Sequence, residues 1–414
     1  MSLAIEVFDE NHTSSRRRFY LYLVSMVIWA YMFSVNVYKI WYVVCALAVA
    51  TTSFLLALRS IRVTITKTSL LLVFMYFLYI LLSSFWSISS EWTLEYVAVD
   101  IIYFFVFLLF YILVLNLPLT RISSNLAFWV YPGIVSSIYF FYFGKDLGRI
   151  GTLVYSLLPA ILPYIWLNAF YVKGFRRYRL FALALAALLL LVVSMSRAPL
   201  ASGLMVSFVS LIAFGGLSFI SVSRILFGGI VFVLMGASLW LFNATREAMI
   251  RSYVRIVGED AEVGGIYVAS EGLDKGRAML SEAMNEVIFR FQPFGMGYRN
   301  FSVWSEENLG IAKSIHNTYH AWLVEGGMML AAIVAFMFVF FFFSLRKLIK
   351  RSNDEYERNF AKATVFSMMG ICFIGYFHQI HQAPVFFIVL GIGYGLIDRN
   401  YKRFYLMRPV GVPL

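Results

Sequence analysis

Residues 314–336 read SIHNTYHAWLVEGGMMLAAIVAF, which sets His316, Asn317, His320 and Glu325 at the mouth of a long apolar run. A helix needs about 20 apolar residues to cross the hydrocarbon core of a bilayer. The run is therefore read as a membrane span, near residues 318–344, with proton chemistry at its edge. Eleven further runs of similar size lie near 19–36, 41–58, 69–88, 98–117, 125–144, 152–172, 180–196, 198–220, 225–243, 363–380 and 384–397. The fold class expected is an all-α polytopic membrane protein of about twelve transmembrane helices.

Composition agrees with that reading. The chain has 414 residues, 61% of them hydrophobic and 18% aromatic, with a mean hydropathy of +0.79. Soluble domains hold roughly half apolar residues. Cys45 and Cys372 each lie inside an apolar run, so they read as small core residues, not as a disulfide framework or a metal site. The N-terminal stretch is acidic before it is basic and lacks a small-residue cleavage site, which makes Arg16, Arg17 and Arg18 an anchor for the first span.

Orientation follows from lysine and arginine bias in the connections. With the N-terminus inside, 22 of the 34 basic residues fall on the cytoplasmic side. Of the other 12, eight lie in one long loop and four in short external connections. Short loops decide orientation, so both termini are expected in the cytoplasm. The net charge of +12 then reflects topology and attraction to anionic headgroups of the membrane lipids, not nucleic acid. No P-loop, dinucleotide fingerprint, zinc spacing or fixed-period repeat occurs.

The chain divides into residues 1–243 with nine spans, a large external loop at 244–317, and residues 318–414 with three spans and a cytoplasmic tail. The loop holds eight basic and ten acidic residues, so any anion site there depends on where single arginines stand. In GRAMLSEAMNEVIFRF, residues 276–291, Leu280, Met284, Val287, Ile288 and Phe291 recur at helical spacing and define an apolar face of a short amphipathic helix. Arg277 falls within that face and Arg290 opposite it. An arginine aligned with an apolar stripe either snorkels or meets an anion.

Pro293, Gly295 and Gly297 then form a turn, and His316, Tyr319 and His320 share one face of the next helix. Near a helix N-terminus the macrodipole opposes positive charge and favours neutral imidazole. Such a histidine is either a general base or an interfacial group bonded to headgroups and water. Arg197, in SMSRAPLASG, marks a tight external turn with Pro199 in the next helix, and Arg149, in KDLGRIGTL, ends a short external loop.

Taken in order, GRIGTL, SMSRAPLASG, GRAMLSEAM, PFGMGYRNF and HNTYHAWLVEGGMM resemble the signature of the O-antigen ligase and polymerase superfamily of bacterial envelope glycosyltransferases. The likeness covers residues 148–330 and extends to the layout of twelve spans with a large periplasmic loop, as in GT-C-type membrane glycosyltransferases. The ligase pattern is a histidine, then Asn, Ser or Gln, nine residues and a glycine, and here it reads His316, Asn317 and Gly327. Essential arginines of that family map to Arg197 and Arg277. The polymerases carry two sizeable external loops, each with ten residues between an arginine and a glycine. This chain has one such loop and shows that spacing once, from Arg299 to Gly310.

The resemblance implies transfer of a glycan from undecaprenyl diphosphate to a sugar hydroxyl of lipid A-core, at the periplasmic face of the inner membrane. His316 would act as the base, with Arg197 and Arg277 as catalytic cations. Arg149, Arg299, Asn317, Tyr319 and His320 would bind substrate. No cofactor and no metal are implied, because arginine forks can hold phosphate oxygens bidentately and remain charged. Three rival readings are an O-antigen polymerase, a protein O-oligosaccharyltransferase of the same superfamily, and a twelve-span transporter. The last would place charges near the bilayer midplane, whereas these cluster at span ends.

Overall fold

A computed structural model describes residues 67–131, 147–193, 197–215, 261–263, 266–268, 282–285, 287–310 and 312–406. The spans expected at 19–36, 41–58 and 225–243 lie outside the described residues. Within them the chain is helical: α1 Lys67–Leu82, α2 Ser90–Asn116, α3 Leu119–Phe128, α4 Leu147–Tyr171, α5 Phe175–Val193, α6 Arg197–Gly215, α7 Phe301–Leu309, α8 Thr318–Val324, α9 Gly327–Arg351, α10 Glu355–Gly375 and α11 Pro384–Leu406. One antiparallel hairpin, β1 Ala261–Val263 with β2 Ile266–Val268, belongs to the long loop and pairs Ala261 with Val268. The loop is thus not purely helical.

Helix ends follow local chemistry. The Ser89 hydroxyl caps α2 by accepting from the Trp92 amide at 3.3 Å, and Glu91 in the first turn complements the macrodipole. The helix stops at Leu117, extended because Pro118 follows. The Asp354 carboxylate caps α10 through the amides of Tyr356 and Glu357, and α9 ends on Lys350 and Arg351.

Among the described residues, four helical stretches are long and apolar enough to cross a membrane: Thr68–Phe85, Ser90–Asn116, Ala198–Gly215 and Gly327–Arg351. Among the described residues, the run expected at 318–344 breaks at Glu325 and Gly326 into short α8 and long α9. The one expected at 125–144 is broken at Trp129, the cap of α3, with residues 132–144 outside the described residues.

The helices form two groups. In one, α11 packs along α2, with α1 and α9 beside them. Gly391 and Gly395 make that contact possible, since a Cβ on either would lie 2.5 Å from the Phe107 carbonyl oxygen or 2.7 Å from that of Tyr111. Small residues at i and i+4 let helix backbones approach where lipid gives no hydrophobic drive. In the other group α4 packs against α3, α5, α6 and α10, and α10 joins the groups through α9 and α11.

Candidate functional site

The site end of the bundle is built around a clasp between two loop segments. The turn at 293–297 lies against residues 324–329. Gly297 N–H donates to the Glu325 carbonyl at 3.0 Å, Met296 N–H to that of Val324 at 3.1 Å, and Met329 N–H to that of Pro293 at 3.2 Å. Gln292 adds two bonds, donating to the Leu323 carbonyl at 2.9 Å and accepting from the Met328 amide at 2.7 Å. Gly295 and Gly327 adopt φ of +77° and +67°, and a Cβ on Gly295 would sit 2.5 Å from Gly327 N. Only glycine meets both demands at low cost. The Tyr79 hydroxyl closes the clasp from α1, donating to the carbonyls of Gly326 at 2.8 Å and Phe294 at 3.1 Å.

Residues 298–300 then reach into the start of α2. Asn300 accepts from the Ser89 amide at 2.7 Å and donates to Thr93, whose hydroxyl donates to the Tyr298 carbonyl at 3.2 Å. Trp92 Nε1 donates to the Arg299 carbonyl at 3.1 Å. Deeper in the helix lies Asp100, 1% exposed. Its Oδ1 and Oδ2 accept from Arg299 Nη2 at 2.9 and 2.8 Å, and Oδ2 also accepts from the Tyr298 hydroxyl at 2.7 Å. The Arg299 guanidinium lies over the Tyr96 ring, 4.4 Å from its centroid.

Glu325 is buried on the other side of this turn, with Oε2 lacking a hydrogen-bond partner. Burial pushes its carboxyl up to about 7. The Arg299 charge and the amides of Arg299 and Phe301 oppose that shift, while Asp100 adds to it. Nearby, His381 is buried between the rings of Tyr298 and Trp322 and is pushed down to about 3 by burial and by Arg299.

The segment with the two motif histidines runs from this clasp to its far end. His316 is exposed just before α8. Asn317 caps that helix, its side-chain oxygen accepting from the Tyr319 amide at 2.9 Å and the His320 amide at 3.2 Å. The Thr318 hydroxyl donates to the His378 carbonyl at 2.6 Å, and the Tyr319 hydroxyl to that of Cys372 at 2.8 Å. His320 is partly buried, its Nδ1 has no hydrogen-bond partner, and desolvation lowers its pKa. It is thus held toward the neutral imidazole.

The expected site residues distribute as follows. Helix α4 runs antiparallel to α10, with Tyr171 against Tyr356, Tyr164 bonded to Thr364, and Ser367 bonded to the Ala160 carbonyl. Helix α6 is likewise antiparallel, with Phe214 by Phe366 and Ser202 bonded to the Gly370 carbonyl. These registers carry the backbones of Arg149 and Arg197, at the starts of α4 and α6, to the end of the bundle where α8 meets residues 372–380. The side chains of both, and all of Arg277, lie outside the described residues. Arg299, Asn317 and Tyr319 are brought there, each with the internal partners given above. The spacing from Arg299 to Gly310 joins an arginine held by Asp100 to the glycine that ends α7 at φ +67°.

Of the amphipathic helix expected at 276–291, residues 282–285 and 287 are helical and 288–294 form turns, so Arg290 lies beyond the helix. Met284 and Val287 are buried while Glu282 and Arg290 are exposed. Asp100 had no assigned role in the sequence. Its signal was a single carboxylate inside an apolar run. Among the described residues no three His, Cys, Asp or Glu side chains gather as metal ligands. Set against models of protein families and against curated proteins, the chain matches none of them.

Proposed function

We propose that the chain is a metal-independent O-antigen ligase, which moves O-antigen glycan from undecaprenyl diphosphate to a sugar hydroxyl of lipid A-core at the periplasmic face of the inner membrane. The observation that carries the reading is the gathering of motif segments at one end of a helical bundle. The turn of PFGMGYRNF clasps the end of HNTYHAWLVEGG, and the helix starts bearing Arg149 and Arg197 lie at the same level. Chemistry on a lipid-linked diphosphate needs such a location, because the donor's chain is in the bilayer and its diphosphate at the surface.

In this reading His316, exposed ahead of α8, takes the proton of the acceptor hydroxyl as that oxygen attacks the anomeric carbon. The bond to the diphosphate oxygen breaks, and Arg197 and Arg277 neutralise the departing charge. A single displacement inverts the anomeric configuration. Twelve spans and cytoplasmic termini belong to the same proposal.

The test uses purified protein in liposomes with undecaprenyl-diphosphate glycan and, in separate reactions, lipid A-core, a lipid-linked repeat and an acceptor peptide. Lipid A-core alone should be glycosylated, in the presence of EDTA, and His316→Ala should lower the rate by about 10²- to 10⁴-fold. Transfer to the repeat or the peptide instead would move the chain to a sister activity. Full activity in His316→Ala would remove the base from the mechanism.

A further inference from the structure

Resting on that reading, we propose that Asp100 and Arg299 are a positioning pair for glycan transfer: their ion pair fixes the 295–300 turn in α2, and the turn holds the end of α8 whose other end carries His316. The two residues are 199 positions apart and meet through both carboxylate oxygens. Every step of the path is a described contact. Asp100 holds Arg299 and Tyr298, while Ser89 and Thr93 hold Asn300. Met296 and Gly297 hold the carbonyls of Val324 and Glu325, the last residues of α8 and its cap. Helix α8 has seven residues, so a shift at its C-terminal end reaches His316 with little attenuation.

The alternative role for Arg299 is direct contact with the diphosphate. Bidentate phosphate binding needs a guanidinium edge with free parallel donors. Here Nη2 is engaged by both Asp100 oxygens, the ring of Tyr96 covers one face, and the side chain is only 15% exposed. A second observation is backbone conformation. Arg299 has φ +59°, the one positive φ of a non-glycine residue among those described. Residues in that region persist where surroundings over-determine them. A buried ion pair is also poor stability value, since apolar pairs of similar volume often match it. What it adds is one defined orientation of the turn.

The experiment compares wild type, Asp100→Asn, Arg299→Lys and the charge-free double variant Asp100→Leu/Arg299→Met, all in liposomes. Asp100→Asn should lose about 100-fold in kcat, the scale of a reacting group misplaced by about 1 Å. Its KM for the donor should stay within about twofold of wild type. Arg299→Lys keeps the charge for Asp100 and should hold kcat at least about tenfold above that of Asp100→Asn. In the double variant the thermal midpoint should return to wild type, because no charge is left buried alone, while kcat stays low.

Donor KM rising with kcat unchanged would make Arg299 a substrate ligand and overturn the pair. Recovery of kcat together with the midpoint in the double variant would make it structural only. A readout independent of transfer is carbethoxylation of His316 by diethyl pyrocarbonate. Its pH–rate profile should shift in Asp100→Asn, and an unchanged profile would sink the proposal. A shifted profile in a protein that transfers no glycan would leave the tie standing and the ligase reading overturned.

Discussion

Glu325 is a carboxyl enclosed beside an arginine already neutralised by Asp100, and that arrangement sets a pH dependence. Its ordinary value is 4.5 and burial carries it to about 7. A pKa raised on folding means that the native state favours the protonated form. The stability it contributes is complete below about pH 4.5 and is lost as pH rises through 7. The difference amounts to about 3 kcal/mol at most. Glu325→Gln keeps an oxygen that accepts from the amides of Arg299 and Phe301 without the titration. Wild-type thermal midpoints in detergent should therefore fall between pH 5 and 8 relative to Glu325→Gln. Parallel profiles would show that the carboxyl is ionised throughout.

Helices were the legible part of this chain. Periodicity and length placed runs at 152–172, 180–196 and 198–220, beside the observed α4, α5 and α6. Apolar content alone could not show the break between α8 and α9, because it is set by a partner about thirty residues earlier. Gly327 turns at φ +67° so that the carbonyls of Val324 and Glu325 and the amide of Met329 meet residues 293–297. His316 and Asn317 could be singled out from their place ahead of an apolar run. Asp100 could not be paired with Arg299, since nothing local to either names the other. The close approach of α2 and α11 is equally hidden in GIGYG, because nothing local to those glycines names the helix they meet. Gly391→Leu should lower stability by about 1–3 kcal/mol by driving a side chain into the Phe107 backbone. Phe336→Leu, on an exposed face of α9, should change it by under about 0.5 kcal/mol. Thermal unfolding in detergent compares them, and equal effects would mean that the α2–α11 contact does not govern packing.

At the scale of the whole molecule, the packing of the helices sorts the charges. Lys67 at the start of α1 lies near the end of α11, because Ser69 bonds Asp398 at 3.2 Å, and Arg399 donates to the Val114 carbonyl at the end of α2. Lys350 and Arg351 end α9, and Arg358 and Lys362 stand in the first two turns of α10. Arg176, Arg177 and Arg179 open α5 next to Tyr171, which packs on Tyr356. All of these bases occupy one end of the bundle, and the clasp with His316 occupies the other. Basic residues beside span ends favour the cytoplasmic side, each worth about 1 kcal/mol near an anionic leaflet. The bundle therefore predicts a sided protein, with Gly174 inside and Gly310 outside. Single cysteines at those positions, in a background without Cys45 and Cys372, should separate cleanly. A membrane-impermeant maleimide applied to intact spheroplasts should label the Gly310→Cys protein and spare Gly174→Cys until the membrane is opened. The reverse pattern would put the clasp in the cytoplasm, where no periplasmic acceptor could reach His316, and the ligase proposal would fall with the topology.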